Sequence, residues 1–290
     1  MSERLAAAVA VVIATRDRRE RLLTTLGRLT ALDEQPDVLV VDNGSRDGTA
    51  PAVRARYPQV EVLRLHTDHG AAARNMGLRA LDVPYVALCD DDSWWAPGAL
   101  TRAAAALRRS PRLAVLAARV LVGERQVLDP VSARMVRSPL PAAPGLPGPR
   151  VLGFVACGAV VRRAAVLGVG GFDQRYGIGG EERRLAYDLA RAGWTLAYAP
   201  DVVAHHEPPP SGPRRRRRVR AARNDLWTTW LHRSLPAAAH RSVTILGQAG
   251  TLAPLAACAA LAGVPWIARE RRPLGGAVEA EVRLVERQKR

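Results

Sequence analysis

Through the first 109 residues, short apolar runs alternate with longer stretches of helical spacing. The runs are Val9 to Ala14, Val38 to Val41, Val60 to Leu65 and Tyr85 to Cys89. The helix-like stretches between and after them are Arg19 to Leu32, Thr49 to Arg56, Ala71 to Leu81 and Pro97 to Arg109. Runs that are apolar at nearly every position suit strands buried on both faces, and a strand followed by a helix suits a parallel crossover. The alternation therefore predicts an α/β fold, with a Rossmann-like, mainly parallel sheet flanked by helices. Ligands of such sheets bind where the strands end, so the strand exits are the first place to look for chemistry.

The fourth run exits on Asp90-Asp91-Asp92, followed by Ser93-Trp94-Trp95. Adjacent carboxylates repel, so a chain keeps them where a cation or a donor array offsets their charge. An acidic turn capping the next helix is the competing reading. Asp42, at another strand exit, suits hydrogen bonding to a base or ribose, or an Asx turn with Ser45. Arg74, near a helix start, suits a cation beside a nucleotide or a surface ion pair. Trp94 and Trp95 fit either a sugar or acceptor site or the core.

The second half is less regular. Leu113 to Val122 reads as a strand, and Gly123 to Arg150, rich in Pro and Gly, reads as a long loop acting as a lid or recognition element. Periodicity resumes at Val151 to Val161. Glu181 to Ala192 reads as an amphipathic helix stopped by Gly193, and Trp194 to Ala199 as a short strand. Beyond Pro208 come the run Arg214 to Arg218 and helical segments around Asn224 to His232 and Val278 to Arg287. The expected division is an α/β domain over residues 1–210 and a basic helical C-terminal extension over 211–290.

Basic residues outnumber acidic ones 43 to 27, and Lys289 is the only lysine. Sixteen basic and five acidic residues fall between Ser211 and Arg290, so +11 of the net +16 belongs to the extension. Such an extension suits a phosphate-bearing substrate or an anionic lipid surface, or is simply solvated. Ser242 to Ala268 has no charged residue and is long enough to cross a bilayer. It is also rich in Ala and interrupted by Gly and Pro, and reads as a packed helix pair, with surface membrane contact as the alternative. Cys89, Cys157 and Cys258 have no CxxC spacing, which indicates neither a disulfide framework nor a zinc site. Residues Met1 to Ala10 lack the pattern of a secretory signal. The expected location is cytoplasmic, with the inner face of the membrane as the alternative.

Four segments together resemble the family 2 glycosyltransferases of the GT-A fold. They are VVIATRDR from Val11, VVDNGSRDGT from Val40, HGAAARNMGL from His69 and the Asp90 to Asp92 run. The first departs from the family's P-T-Y-N-R-like exit at Ala14 and Arg16-Asp17. In the second half, CGAVVRRAAVLGVGGFDQRY from Cys157 is similar to the family's G-A and G-G-F-D segment, and it leads into Gly179-Gly180-Glu181-Glu182. The family has E-D there, with the second acid as base. Here that position is Glu182, and Arg184 stands where another acid is common.

The resemblance implies a transferase moving a sugar from a nucleotide-sugar donor to an acceptor hydroxyl, with inversion. The acceptor is left open among glycan, lipid-linked and small-molecule types. Thr15, Asp42, Arg74 and Asp90 are implied at the nucleotide. Asp90 and Asp92 are implied at Mg²⁺ or Mn²⁺, with Asp92 the more direct ligand, and His205 or His206 completes the site. Glu182, with Glu181 beside it, is implied as the base. Arg214 to Arg218 is read as a flexible clasp over the donor phosphates or a membrane hold. A nucleotidyltransferase would need a glycine-rich phosphate loop after the first strand, and Thr15 to Arg21 has no glycine. A non-catalytic anion- or membrane-binding protein is the remaining alternative, and no nucleic-acid partner is expected.

Overall fold

In the computed structural model, which describes residues 8–141, 143–209 and 214–288, the first half is the parallel layer that the alternation predicts. β1 (Val9–Thr15), β2 (Val38–Asp42), β3 (Glu61–Arg64) and β4 (Tyr85–Cys89) are joined by α1 (Arg19–Thr30), α2 (Thr49–Arg56) and α3 (Ala73–Ala80). The strands lie in the order β3-β2-β1-β4, all parallel. The order reverses between β1 and β4, which opens a crevice where the strands end. Thr15 pairs with Asp42 and Ile13 with Cys89, so the three exits are nearly level.

Side-chain alternation along β1 feeds two cores. Val11 and Ile13 pack with Leu22, Leu26 and Leu107 on one face, and Val12 packs with Leu78, Leu88 and Phe172 on the other. The rest of the sheet is mixed. β5 (Ser93–Trp95), α4 (Ala99–Arg109), β6 (Leu113–Val122), β7 (Val127–Leu128), α5 (Pro130–Val136), β8 (Ala159–Arg162), α6 (Arg163–Gly168), α7 (Glu181–Arg191) and β9 (Thr195–His206) follow in the chain. β8 is antiparallel to both β4 and β6, β9 is parallel to β6, and β5 is antiparallel to β9. Both reversals serve the crevice. Running β8 against β4 sets Ala159 beside Leu88, and pairing β5 with β9 sets His206 opposite Ser93.

The extension comprises α8 (Arg214–His232), α9 (Leu235–Ala249), α10 (Ala253–Leu261), α11 (Val264–Glu270) and α12 (Gly276–Arg287). Trp227, Leu231, Ile245 and Ile267 form its own core with Tyr176 of the α/β layer. Polar contacts weld the two: the Asn224 amide donates to the carbonyls of Tyr176 and Gly179, and buried Asp188 meets His232 at 2.9 Å and Arg272 at 3.0 Å.

Four local expectations change. The Gly123 to Arg150 stretch contains β7 and α5; Asp129 caps α5 by accepting from the N–H groups of Val131 and Ser132, with Pro130 at the first turn. β9 runs past Pro200 because the β6–β9 register shifts between Ala118 and Arg119, a bulge that tolerates the proline. Residues 215–218 are exposed on a helix and are no flexible clasp, although the Arg214 side chain and residues 210–213, where the expected domain boundary falls, lie outside the described residues. Ser242 to Ala268 packs as three helical pieces rather than a pair: it breaks at Gly250 and Gly263 and buries Ile245, Ala256, Ala260 and Ile267, while Val243 (74%) and Leu261 (62%) stay exposed.

One buried side chain clips the two halves together. Asn75 on α3 accepts from the Phe172 N–H at 2.9 Å and donates to the Phe172 carbonyl at 2.7 Å. Asn75→Ala strands both backbone groups, and urea unfolding is expected to show a loss of about 2–4 kcal/mol. A loss under about 0.5 kcal/mol, the size of an ordinary surface change, would show that packing alone holds these segments.

Candidate active site

The rim is built at the exits of β1 and β2. Asp17, at φ 51°, receives the Arg46 N–H on its carboxylate at 2.7 Å and donates its own N–H to Ser45 Oγ at 3.0 Å. Buried Asp42 accepts from the Ser45 N–H at 2.8 Å, which is the Asx turn. Thr15 donates its hydroxyl to Asp91 at 2.9 Å. Both side chains thus shape the loops around the crevice.

The three acids after β4 point three ways. Asp91 turns back to β1, taking Thr15 and Arg18, and its carbonyl accepts from Thr25 at 2.8 Å. Burial, partly opposed by Arg18, pushes its carboxyl up to about 6. Asp92 lies 3.0 Å from Arg18 Nη1 and 3.3 Å from His206 Nε2. Burial works against its charge, but His206 and Arg18 hold it below the usual carboxylate range. Burial likewise opposes protonation of His206, and Asp92 and Asp90 outweigh it and raise its pKa. Asp90 bonds to the Arg74 guanidinium.

Ligand atoms of Asp90, Cys157 and His206 all lie within 4.8 Å of one another. Cys157 arrives through the turn before β8, and His206 at the end of β9. Carboxylates with an imidazole fit a divalent cation that accepts oxygen and nitrogen ligands. Asp90 and His206 of this group would hold it, with Asp92 beside them at 3.3 Å from His206 Nε2. Burial keeps the Cys157 thiol protonated, its pKa well above the ordinary value.

His205 lies outside this group. It faces the other side of the sheet, hydrogen-bonded to Gln126 and stacked on Trp94 at 5.2 Å, with the Arg28 guanidinium 3.6 Å over the Trp94 ring. Burial and Arg28 lower its pKa. Trp94 belongs to that stack and Trp95 is buried in the core, so both take the packing reading.

Arg74 joins the two acidic groups. It sits in the first turn of α3, 8% exposed, with Nε buried and unpartnered. Burial opposes its charge, but Asp90, Glu181 and Glu182 hold it firmly protonated. The acids enter through a turn in which Gly179 (φ 104°) and Gly180 (φ 92°) adopt a backbone that suits glycine. Glu181 is buried and takes the Gly179 N–H on its own carboxylate. Burial and the neighbouring Glu182 push it up to about 7, with Arg74 opposing. Burial also raises Glu182, again against Arg74. Glu182 opens onto a cavity of about 420 Å³. Arg184 turns away into ion pairs with Asp173 at 2.6 Å and Asp188 at 3.7 Å.

Two residues of this site escaped the sequence reading of their roles. Arg18 bridges Asp91 and Asp92, and Cys157 stands in the ligand group. Each lies at the edge of a segment quoted above, but nothing local marks it.

The family model described as Glycosyl transferase family 2 matches residues 10–168. The N-acetylglucosaminyl-diphospho-decaprenol L-rhamnosyltransferase of Mycobacterium tuberculosis is 30% identical over 228 residues, 66% of this chain and 72% of that protein. Among solved structures, a mannosyltransferase from Pyrobaculum calidifontis in complex with GDP-Man and Mn²⁺ aligns with a TM-score of 0.61 at 22% identity, covering 97% of this chain and 80% of its own. GalNAc-T7 with UDP, GalNAc and Mn²⁺ aligns with a TM-score of 0.58 at 14% identity, covering 79% of this chain and 48% of its own. These likenesses establish the mixed, curled α/β sheet of the GT-A glycosyltransferases.

If Arg74 offsets Glu181 and Glu182, removing it costs most where those acids are ionised. Arg74→Met is expected to lose about 3–5 kcal/mol in urea unfolding at pH 8. The loss should shrink at pH 5, where protonation of the pair removes the charge that Arg74 answers. Equal losses at both pH values would mean that Arg74 does not compensate these carboxylates.

Proposed function

The chain belongs to glycosyl transferase family 2, and from that premise we propose that it moves a sugar from a nucleoside-diphosphate-sugar to an acceptor hydroxyl, with inversion and with a divalent cation at Asp90, Asp92 and His206. The nucleotidyltransferase and non-catalytic alternatives fall with the family match. The observation that carries the reading is the group at the strand exits, where Arg74 bonds to Asp90 and ligand atoms of Asp90, Cys157 and His206 lie within 4.8 Å of one another.

Glu182 is the base. It faces open space, whereas Glu181 is closed into its own turn. A carboxylate raised toward neutrality is matched to taking a proton in the transition state. The acceptor hydroxyl gives its proton to Glu182 as its oxygen bonds to the anomeric carbon, and the bond from that carbon to the nucleoside diphosphate breaks. One displacement with one base needs no covalent intermediate, so configuration inverts. Thr15 and Asp42 keep the nucleotide rim in shape, and Arg18 adds positive charge at the mouth. When bound, Mg²⁺ or Mn²⁺ would supply Lewis-acid stabilisation of the departing diphosphate.

The mycobacterial relative is named for a lipid-linked acceptor, and this chain is read as using one too, at the cytoplasmic face of a membrane. The apolar helical stretch Leu235–Leu261, with only 22% of its 18-residue apolar window buried, and exposed arginines 215–218 support contact with an anionic lipid surface.

A screen of nucleotide-sugars is expected to find one donor whose turnover is lost in EDTA and restored by Mn²⁺ or Mg²⁺. With that donor, Glu182→Gln should cut kcat by about 10²–10⁴ while nucleotide binding persists. Because the base must be ionised, kcat/KM should fall as pH drops through the pair's apparent pKa, near 7 for Glu181. Turnover in Glu182→Gln close to the unmodified protein would overturn the assignment.

A further inference from the structure

The cavity beyond Glu182 is walled by parts of the chain remote in sequence: α5 and the loop after it, residues 151–154, the start of α7, and the end of α12. Its size falls within the range of small-molecule sites, roughly 300–1,000 Å³. Its apolar lining comprises the buried Met135, Val151 and Phe154 and Val285 of α12. The rim carries Arg134 and Arg137, both exposed.

The arginines of this region differ in their partners. Arg150 pairs with Glu281 at 2.8 Å, Arg183 with Asp225 at 2.5 Å and Arg184 with Asp173 at 2.6 Å. Arg134 and Arg137 have no carboxylate partner among the described residues. They line the same cavity as Glu182. α12 is held over the cavity by the Arg150–Glu281 ion pair and by the Gln288 amide, which donates to the Arg137 carbonyl.

We infer that this cavity is the acceptor site and that its ligand is an amphiphilic phosphate, a prenyl-type lipid diphosphate whose head group carries the reacting hydroxyl to Glu182, whose anion meets Arg134 and Arg137 and whose apolar chain lies on Met135, Val151, Phe154 and Val285. The identification as acceptor site rests on Glu182 being the base. A neutral glycan would leave two guanidiniums without a carboxylate partner, Arg137 bonding through Nε to the Ala133 carbonyl, and would leave the apolar wall uncovered. Guanidinium pairs suit phosphate oxygens, and the wall gains by covering apolar surface. The C-terminal extension is therefore part of substrate recognition: α12 closes the pocket that α5 and the 151–154 turn begin.

The test is calorimetric titration of the full chain with farnesyl diphosphate in EDTA, so that no metal draws the probe to Asp90. Inorganic diphosphate and farnesol serve as the separate halves. Farnesyl diphosphate is expected to bind at least tenfold more tightly than either half. Arg134→Glu/Arg137→Glu, two exposed positions, and Val285→Trp, which fills the cavity, should each weaken it at least tenfold with unchanged circular dichroism. Equal binding of either half, absence of probe binding, or wild-type affinity in both variants overturns the inference. Donor turnover by the wild-type chain is scored separately. Turnover without probe binding sinks the pocket alone, and probe binding without turnover of any nucleotide-sugar sinks the transferase reading alone.

Discussion

Arg74 is the side chain on which the site depends. Its guanidinium is buried, bonds to Asp90 and sits in the field of Glu181 and Glu182. Buried carboxylates from two halves of a chain repel one another and resist losing water, and a shared cation is what makes their convergence tolerable. The same cation limits how far the acids rise: burial pushes Glu181 to about 7, and Arg74 pulls against it. Structure and chemistry thus rest on one interaction. The charge that lets the two halves close is also the one that opposes the upward push of burial on both Glu181 and Glu182.

The sheet explains why these groups meet. Parallel order through β4 brings three strand exits to one edge. Reversing β8 returns the chain to that edge beside Leu88, and the long β9 does so again beside Ser93. Cys157, His206 and the Glu181-Glu182 turn are delivered by these returns, with the Asn75–Phe172 clip fixing the approach. The extension is then welded beneath the same turn through Asn224 and Asp188. Through Val285 and Gln288 it lines the same cavity as Glu182.

Much of this was legible in the residues. The parallel half announces itself because strands buried on both faces must be apolar throughout, and β2 and β4 are. The acids at Asp90 to Asp92 and Glu181-Glu182 stand out because unpaired charge beside an apolar run demands an explanation. Partners at long range were not legible. Alternation along β9 places His205 and His206 on opposite faces, but only the sheet order says which face holds Asp92. Asp42 carried two readings, and the Asx turn is the one the local backbone adopts. Pro200 looked like a strand end because a bulge is invisible without its partner strand. Arg18 gave no signal at all, since its value lies in reaching two carboxylates more than seventy positions away.

The claim that one cleft holds the acids of both halves is tested most directly by anomalous diffraction from crystals grown with Mn²⁺ and a nucleoside diphosphate. The account predicts one manganese peak within coordination distance of Asp92 and His206, with the Glu182 carboxylate facing the same cleft across the nucleotide. A peak away from these side chains, or a Glu182 walled off from it by packed core, would contradict the account.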